Sequence, residues 1–293
     1  MTHLAQTLIL GLLIGGVYAL MASGLTLIFG VMKVINIAQG AFLVLSALFT
    51  FELWTRTGID PLLAIFITTP IMFGLGWVVY HLFVARVRNA PVSTTVLLTF
   101  AMAITLEGAM GVIWKNVFRS VTPSYFSRSF RLGRLFVPEA QLYGWVAALL
   151  VLGLLYLFLT RTWSGRAIRA ASENPQGAQL VGVNVSGVAA LTFAIGIATT
   201  GAGGSILSVL YSFFPASHYL WISRLLGIIV LGGMGSLPGA LVGALLLGVA
   251  ETLTQTYVDT QWANVVPYAV ILVVLLVRPQ GLMGSRLRED VAA

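Results

Sequence analysis

The chain has 293 residues, 58% hydrophobic and only 9% charged, with a mean hydropathy of +0.97. Soluble domains carry about 25% charged residues, so a soluble globular fold is excluded. The net charge of +7 fits basic loops flanking membrane spans; no Lys/Arg cluster with interleaved aromatics supports nucleic-acid binding, and the lack of cysteine excludes disulfides, thiolate metal sites and cysteine nucleophiles.

Residues 4–32 and 175–223 are runs of 29 and 49 residues without Lys, Arg, Asp or Glu. Both exceed the ~20 residues that span a hydrocarbon core, and the ~10-residue alternation of a membrane β-barrel is missing. The pattern predicts an all-α polytopic membrane protein. In chain order, apolar spans fall at about 5–29, 38–54, 61–84, 92–114, 141–160, 188–213, 222–257 and 262–277, about eight in all. They form a single integral-membrane domain over 1–293. The first apolar stretch is too long for a signal-peptide h-region and has no basic n-region, so it stays as a membrane helix.

Between the first two spans lies Gly30-Val-Met-Lys-Val-Ile-Asn-Ile-Ala-Gln-Gly40. Asn36 and Gln39 are three apart, on one face if the segment after Ile35 is helical. They are placed to bond freed backbone at a break or to face a permeating solute. Further on, Glu107 interrupts the span 92–114; intramembrane acids default to a functional role, here on the translocation pathway, while its place about seven residues from the span's end would also let it reach the headgroup level.

Two long loops follow. Residues 115–141 carry Lys115, Arg119, Arg128, Arg131 and Arg134, and residues 161–187 carry Arg161, Arg166 and Arg169 with Glu173. One span separates them, so they face opposite sides. With the second loop inside, the basic count is nine inside against seven outside, and the positive-inside rule does not decide the orientation. Residues 164–172 extend the preceding span into water. After them Asn174 suits an N-cap, Pro175 the first helical position and Gly182 a C′ stop, which predicts a two-turn helix over 175–181 with Ala178 and Val181 on one face. A helix so short is unstable alone and must dock, on this protein's own helix ends or on another subunit.

The span 222–257 is too long for one straight crossing. Its Gly-Gly-Met-Gly-Ser-Leu-Pro-Gly stretch, 232–239, includes Gly232, Gly233 and Gly235. Against alanine, its glycines and proline oppose a continuous helix by roughly 6–7 kcal/mol. Non-helical backbone at that depth survives only when buried in protein or lining a water-filled cavity, and paired breaks point to a transport path. Small residues also recur every fourth position: Gly11, Gly15, Ala19, Ser23; Thr192, Gly196, Thr200, Gly204, Ser208; and Ala240, Ala244, Gly248, Thr252. Such ridges allow close helix approach, within one subunit or between two.

No phosphate-binding loop exists, since the only lysines are Lys33 and Lys115. His3, His81 and His218 lack metal-ligand spacing and sit at span ends as interface anchors. No Ser/His/Asp set supports a hydrolase, and neither a cofactor nor a metal is implied.

Four segments carry a family resemblance. They are Gly15-Gly-Val-Tyr-Ala-Leu20 running on through Gly24 to Gly40; Gly165-Arg-Ala-Ile-Arg-Ala-Ala-Ser-Glu-Asn174 with Leu180-Val-Gly-Val-Asn184; Leu231 to Gly239; and Arg278-Pro-Gln-Gly-Leu-Met-Gly284. In this order they resemble the LivH-type permeases of branched-chain amino acid ABC importers. The resemblance implies a membrane subunit in the bacterial cytoplasmic (inner) membrane. It pairs with a second related permease, or a copy of itself, and works with two cytoplasmic ATPase subunits and a periplasmic solute-binding protein. It also implies that residues 166–184, with Arg166, Arg169, Glu173, Asn174, Ala178 and Gly182, contact an ATPase. Gln39 stands where the family commonly has His, and Gln does not titrate. An ion-coupled secondary transporter is the rival reading, but it would want several intramembrane acids; an intramembrane enzyme lacks a catalytic set.

Overall fold

A computed structural model describes residues 2–87, 90–133 and 135–284. In chain order they form α1 (Thr2–Met32), α2 (Gln39–Thr57) and α3 (Pro61–Val79), which runs on through a π-helical turn (Tyr80–Val84) into α4 (Ala85–Val87). Then come α5 (Val92–Trp114), a hairpin of β1 (Ser129–Leu132) and β2 (Leu135–Pro138), and α6 (Glu139–Arg161). The second half holds α7 (Trp163–Glu173), α8 (Pro175–Leu180), α9 (Val185–Leu210), a short 3-10 turn (Pro215–Ser217), α10 (His218–Gly232), α11 (Leu237–Tyr257), α12 (Thr260–Ala263) and α13 (Val266–Val277).

Six of these helices are long and apolar enough to cross a membrane: α1, α3 with its extension, α5, α6, α9 and α11. They differ in position. The most apolar windows of α1 and α9 are 72% buried and those of α5 and α6 only 17%, so α1 and α9 are the central pair and α5 and α6 the rim. The 15 residues of α10 reach only ~22 Å, short of a ~30 Å hydrocarbon core.

Small residues set the packing. A Cβ on Gly15 would stand 2.7 Å from Leu245 Cα, and one on Gly248 would stand 2.6 Å from Gly15 Cα. The α1 and α11 ridges therefore lie on each other within this chain. On α9, the ridge residue Gly204 does the same work on α2, where a Cβ would be 2.6 Å from the Leu43 carbonyl, and Gly201, off that ridge, does it on α3, where a Cβ would be 2.7 Å from Thr69 Cα.

The bundle has two distinct ends. At one, the β-hairpin lies against the start of α1, where Phe136 N–H donates to Gln6 Oε1 at 2.8 Å. Arg119 pairs its backbone with Phe213, and Tyr125 donates to Asp60 Oδ1 at 3.1 Å. Burial, with the Asp60 carboxylate adding to it, raises the Tyr125 phenol above its ordinary range. At the other end Leu27, Leu159, Ile168 and Val188 form a second apolar cluster joining α1, α6, α7 and α9. The loops 115–138 and 162–184 thus occupy opposite ends.

The segment 164–172 does not extend α6 into water. Thr162 starts a new helix by accepting from Gly165 N at 3.0 Å. The amphipathic α7 then turns Ala167, Ile168 and Ala171 onto the bundle. The fold-back needs glycine at 165, where a Cβ would meet the Phe158 carbonyl at 2.3 Å.

An inverted arrangement relates two triplets. In each, a long central helix (α1, α9) is followed by a stretch without α-helix (33–38, 211–217), a helix that starts inside the bundle (α2, α10), and a helix packed on the other triplet's central one (α3 on α9, α11 on α1).

Candidate functional site

The α1–α2 break is held by side-chain amides. Lys33 takes φ +54 and donates its N–H to Phe29 O at 2.9 Å, ending α1. The chain then runs back inward. Asn36 Nδ2 donates to Gln39 Oε1 at 3.0 Å, and Gln39 Nε2 donates to Gly196 O near the middle of α9 at 2.8 Å. Ile37 N–H reaches Thr99 Oγ1 at 3.3 Å. Asn36 and Gln39 are both fully enclosed. Within the break the Ile37 N–H, the Ile35 carbonyl through Thr99 and the Asn36 carbonyl through the Gln39 N–H find partners, as an apolar setting demands, while Asn36 Oδ1 has none.

The starts of α2 and α10 meet there. A Cβ on Gly40 would lie 2.6 Å from His218 O and 3.0 Å from Ile222 N. His218 Nε2 is 3.0 Å from Glu107 Oε2, the ring nitrogen donating to the carboxylate. Glu107 thus sits at the positive end of α10, where a carboxylate is favoured. His218 is 1% exposed and is no interface anchor, because residues 211–217 carry the chain inward before α10 begins. Asn36, Gln39 and Glu107 therefore come together in one seam around His218.

Gly232, Gly233 and Gly235 lie apart from that seam. Gly233 and Gly235 take φ +103 and +86, which favour glycine, and Ser236 caps α11 by accepting from Gly239 N at 3.1 Å. A Cβ on Gly232 would be 2.2 Å from Gly239 O, and one on Gly243 2.6 Å from Ile228 O. The chain doubles back, and α10 and α11 form an antiparallel hairpin. Its turn rests against α1, since a Cβ on Gly235 would meet Gly30 Cα at 3.3 Å. The tail seals the end of α10: Leu282 N–H donates to Leu231 O at 2.8 Å and Met283 N–H to Gly232 O at 2.9 Å.

The hairpin creates a cluster that sequence reading missed. Arg224 Nε donates to Glu251 Oε1 at 3.0 Å, and its Nη2 to Asn264 Oδ1 at 2.9 Å. Tyr18 OH donates to Glu251 Oε2 at 2.7 Å and lies 3.2 Å from Tyr211 OH. The guanidinium stands 5.0 Å from the Trp221 ring centre. The signal was available: Arg224 and Glu251 are the only charges in 222–257 and flank its glycine break, so folding at the break pairs them.

At the opposite end from the β-hairpin, α8 spans Pro175–Leu180, with Asn174 Oδ1 accepting from Gly177 N at 2.8 Å and Gly182 at φ +83. Arg166, Arg169, Glu173 and Asn174 are exposed. Ala178 is not: it is 4% exposed, turned into the chain itself, while Leu180 and Val181 are 90% and 78% exposed. Among the described residues no group of acids or histidines could hold a metal ion.

Six long apolar helices, with α1 and α9 at the centre, define a multi-pass membrane protein. The chain belongs to the family described as the branched-chain amino acid transport system / permease component, whose model matches residues 7–275. That places it among transport permeases rather than enzymes. It is 30% identical to the high-affinity branched-chain amino acid transport system permease protein LivH of Salmonella typhimurium, with 96% of each chain covered. It is likewise 30% identical to BraD of Pseudomonas aeruginosa, a protein of the same description, again over 96% of each. A more distant relative is the fructose import permease FrcC of Rhizobium meliloti, 25% identical over 83% of this chain and 69% of that one. No solved structure matches.

Proposed function

We propose that this chain is a membrane subunit of an ATP-driven importer for amino acids, working in the bacterial cytoplasmic membrane beside a second related permease. Two cytoplasmic ATPase subunits drive it and a periplasmic binding protein delivers the solute. The observation that carries the reading is the capped α7–α8 segment, which leaves Leu180 and Val181 uncovered. Two adjacent apolar side chains on an ordered, exposed turn are what a partner's groove would take, while Arg166, Arg169, Glu173 and Asn174 form a polar rim. The amino-acid class follows the relatives' descriptions; FrcC marks how far that class can drift.

In this reading the α8 end is cytoplasmic and the β-hairpin end periplasmic. The α10–α11 hairpin divides one of the eight expected spans in two, giving nine passes, with α2 and α10 starting inside the bundle. Asn36, Gln39 and Glu107, gathered where the starts of α2 and α10 meet, hold the moving seam of the pathway. The glycine turn of Gly232, Gly233 and Gly235 ties that seam to the cytoplasmic end. Paired interrupted helices in the two halves of a chain support a pathway between them.

The test is reconstitution of the chain with its partner permease, ATPases and binding protein in vesicles. Radiolabelled leucine should accumulate only with ATP. Uptake driven by a proton or sodium gradient without ATP would establish the secondary-transporter reading instead.

A further inference from the structure

We propose that the cavity beside Arg224 is a binding site for the carboxylate of a small solute, a stopping point on the route of the importer, on whose reading it rests. The cavity measures about 210 Å³ and is lined by Tyr18, Tyr211, Arg224, Glu251, Gln255 and Asn264 among others. Sites for drug-sized ligands run to roughly 300–1,000 Å³, so this one suits a single small metabolite.

Two charges stand in helices meant for lipid. The side chains of Arg224 and Glu251 are 12% and 8% exposed. Burying an ion pair costs desolvation that an apolar pair of similar volume avoids, so helix packing alone does not call for one here.

Counting donors and acceptors identifies the ligand. Each Glu251 oxygen already holds a donor, Oε1 from Arg224 and Oε2 from Tyr18. A guanidinium has five N–H donors. Nε serves Glu251 and one Nη2 hydrogen serves Asn264, which leaves three, two on Nη1 and one on Nη2. Among the described residues, Asn264 Nδ2 and the Gln255 amide form no hydrogen bond. Unbonded N–H groups thus surround a cation, and the group that accepts two parallel N–H bonds from a guanidinium edge is a carboxylate. Trp221 against the guanidinium face and Glu251 at its Nε fix the fork in place.

Because the chain has no cysteine, Gln255→Cys supplies a unique reporter on the cavity wall. The assembled transporter is labelled in spheroplast membranes with an impermeant thiol reagent, using L-leucine, isovalerate and L-leucinamide as probes. Leucine and isovalerate, which have the carboxylate, should slow labelling about tenfold at ten times their half-protecting concentration; leucinamide should not. Asn264→Ala should raise the half-protecting concentration about tenfold. The exchanged pair Arg224→Glu with Glu251→Arg keeps an ion pair but relocates the fork, and should abolish protection. A purely structural ion pair would leave protection unchanged in that double variant, which overturns the proposal. So would an unreactive Gln255→Cys, or equal protection by leucine and leucinamide. ATP-driven leucine uptake by the unmodified complex is measured alongside. Uptake without protection refutes the site alone, and absent uptake refutes the importer reading.

Discussion

Glu107 is a carboxylate in an apolar helix, and His218 is what makes it tolerable. The imidazole is almost fully enclosed and has the Glu107 oxygen at 3.0 Å, with the α10 N-terminus behind it. Removing the carboxylate orphans a buried ring nitrogen. Glu107→Leu should therefore cost about 1–3 kcal/mol, read as a lower midpoint of thermal unfolding in detergent, whereas Glu107→Gln should keep most of that stability because the amide oxygen still accepts. Equal losses in both variants would mean that the charge, and not the hydrogen bond, matters. The residue's position was legible from sequence and its partner was not, since 111 residues separate the two. Gln39 is similar. Its amide bonds the Gly196 carbonyl where α1 and α9 cross so closely that a Cβ on Gly24 would be 2.2 Å from the same oxygen.

At the scale of elements, α8 was readable almost to the residue. Asn174, Pro175 and Gly182 are local signals, and local geometry obeys them: the helix runs over Pro175–Leu180, against an expectation of 175–181. Which face points outward was not local. The expectation put Ala178 and Val181 on one contact face; docking of α8 on its own chain hides Ala178 and leaves Leu180 and Val181 outside. Leu180→Glu with Val181→Glu should abolish co-purification of the ATPase subunits while leaving membrane insertion and folding intact, because both side chains already face solvent. Undiminished co-purification and leucine uptake would exclude α8 as the contact. The helix α7 makes a matching point, since its amphipathic pattern was present in the sequence, but the sharp fold-back at Gly165 that gives the pattern something to cover was not.

Across the whole molecule, the two long loops lie at opposite ends of the bundle, and charge counting does not say which is inside. Absence of cysteine makes a direct measurement simple. Ser127→Cys, in the exposed loop before the β-hairpin, should react with an impermeant thiol reagent added to spheroplasts. Gln176→Cys, exposed on α8, should react only after the membrane is opened. The reverse pattern would place the ATPase contact on the wrong side. The doubled-back α10–α11 hairpin also returns the described C-terminal residues to the α8 end, against the last turn of α10, so that end gathers both breaks and the exposed segment.

Composition and hydropathy were enough to determine a multi-pass helical membrane protein, because burial in lipid leaves few alternatives for so apolar a chain. Glycine, proline and capping residues were enough to locate the exposed short helix, because their effects act within a few residues along the chain. Three things were decided only by tertiary structure. The chain folds back at Gly232–Gly235 instead of continuing, which pairs Arg224 with Glu251. The stretches 33–38 and 211–217 run inward, so that the start of α2 and Glu107 both meet His218. The small-residue ridges pack inside the subunit, α1 on α11 and α9 on α2. Each depends on contacts between residues distant in sequence, where close approach of backbones and pairing of buried charges select one arrangement from several that local propensity allows equally.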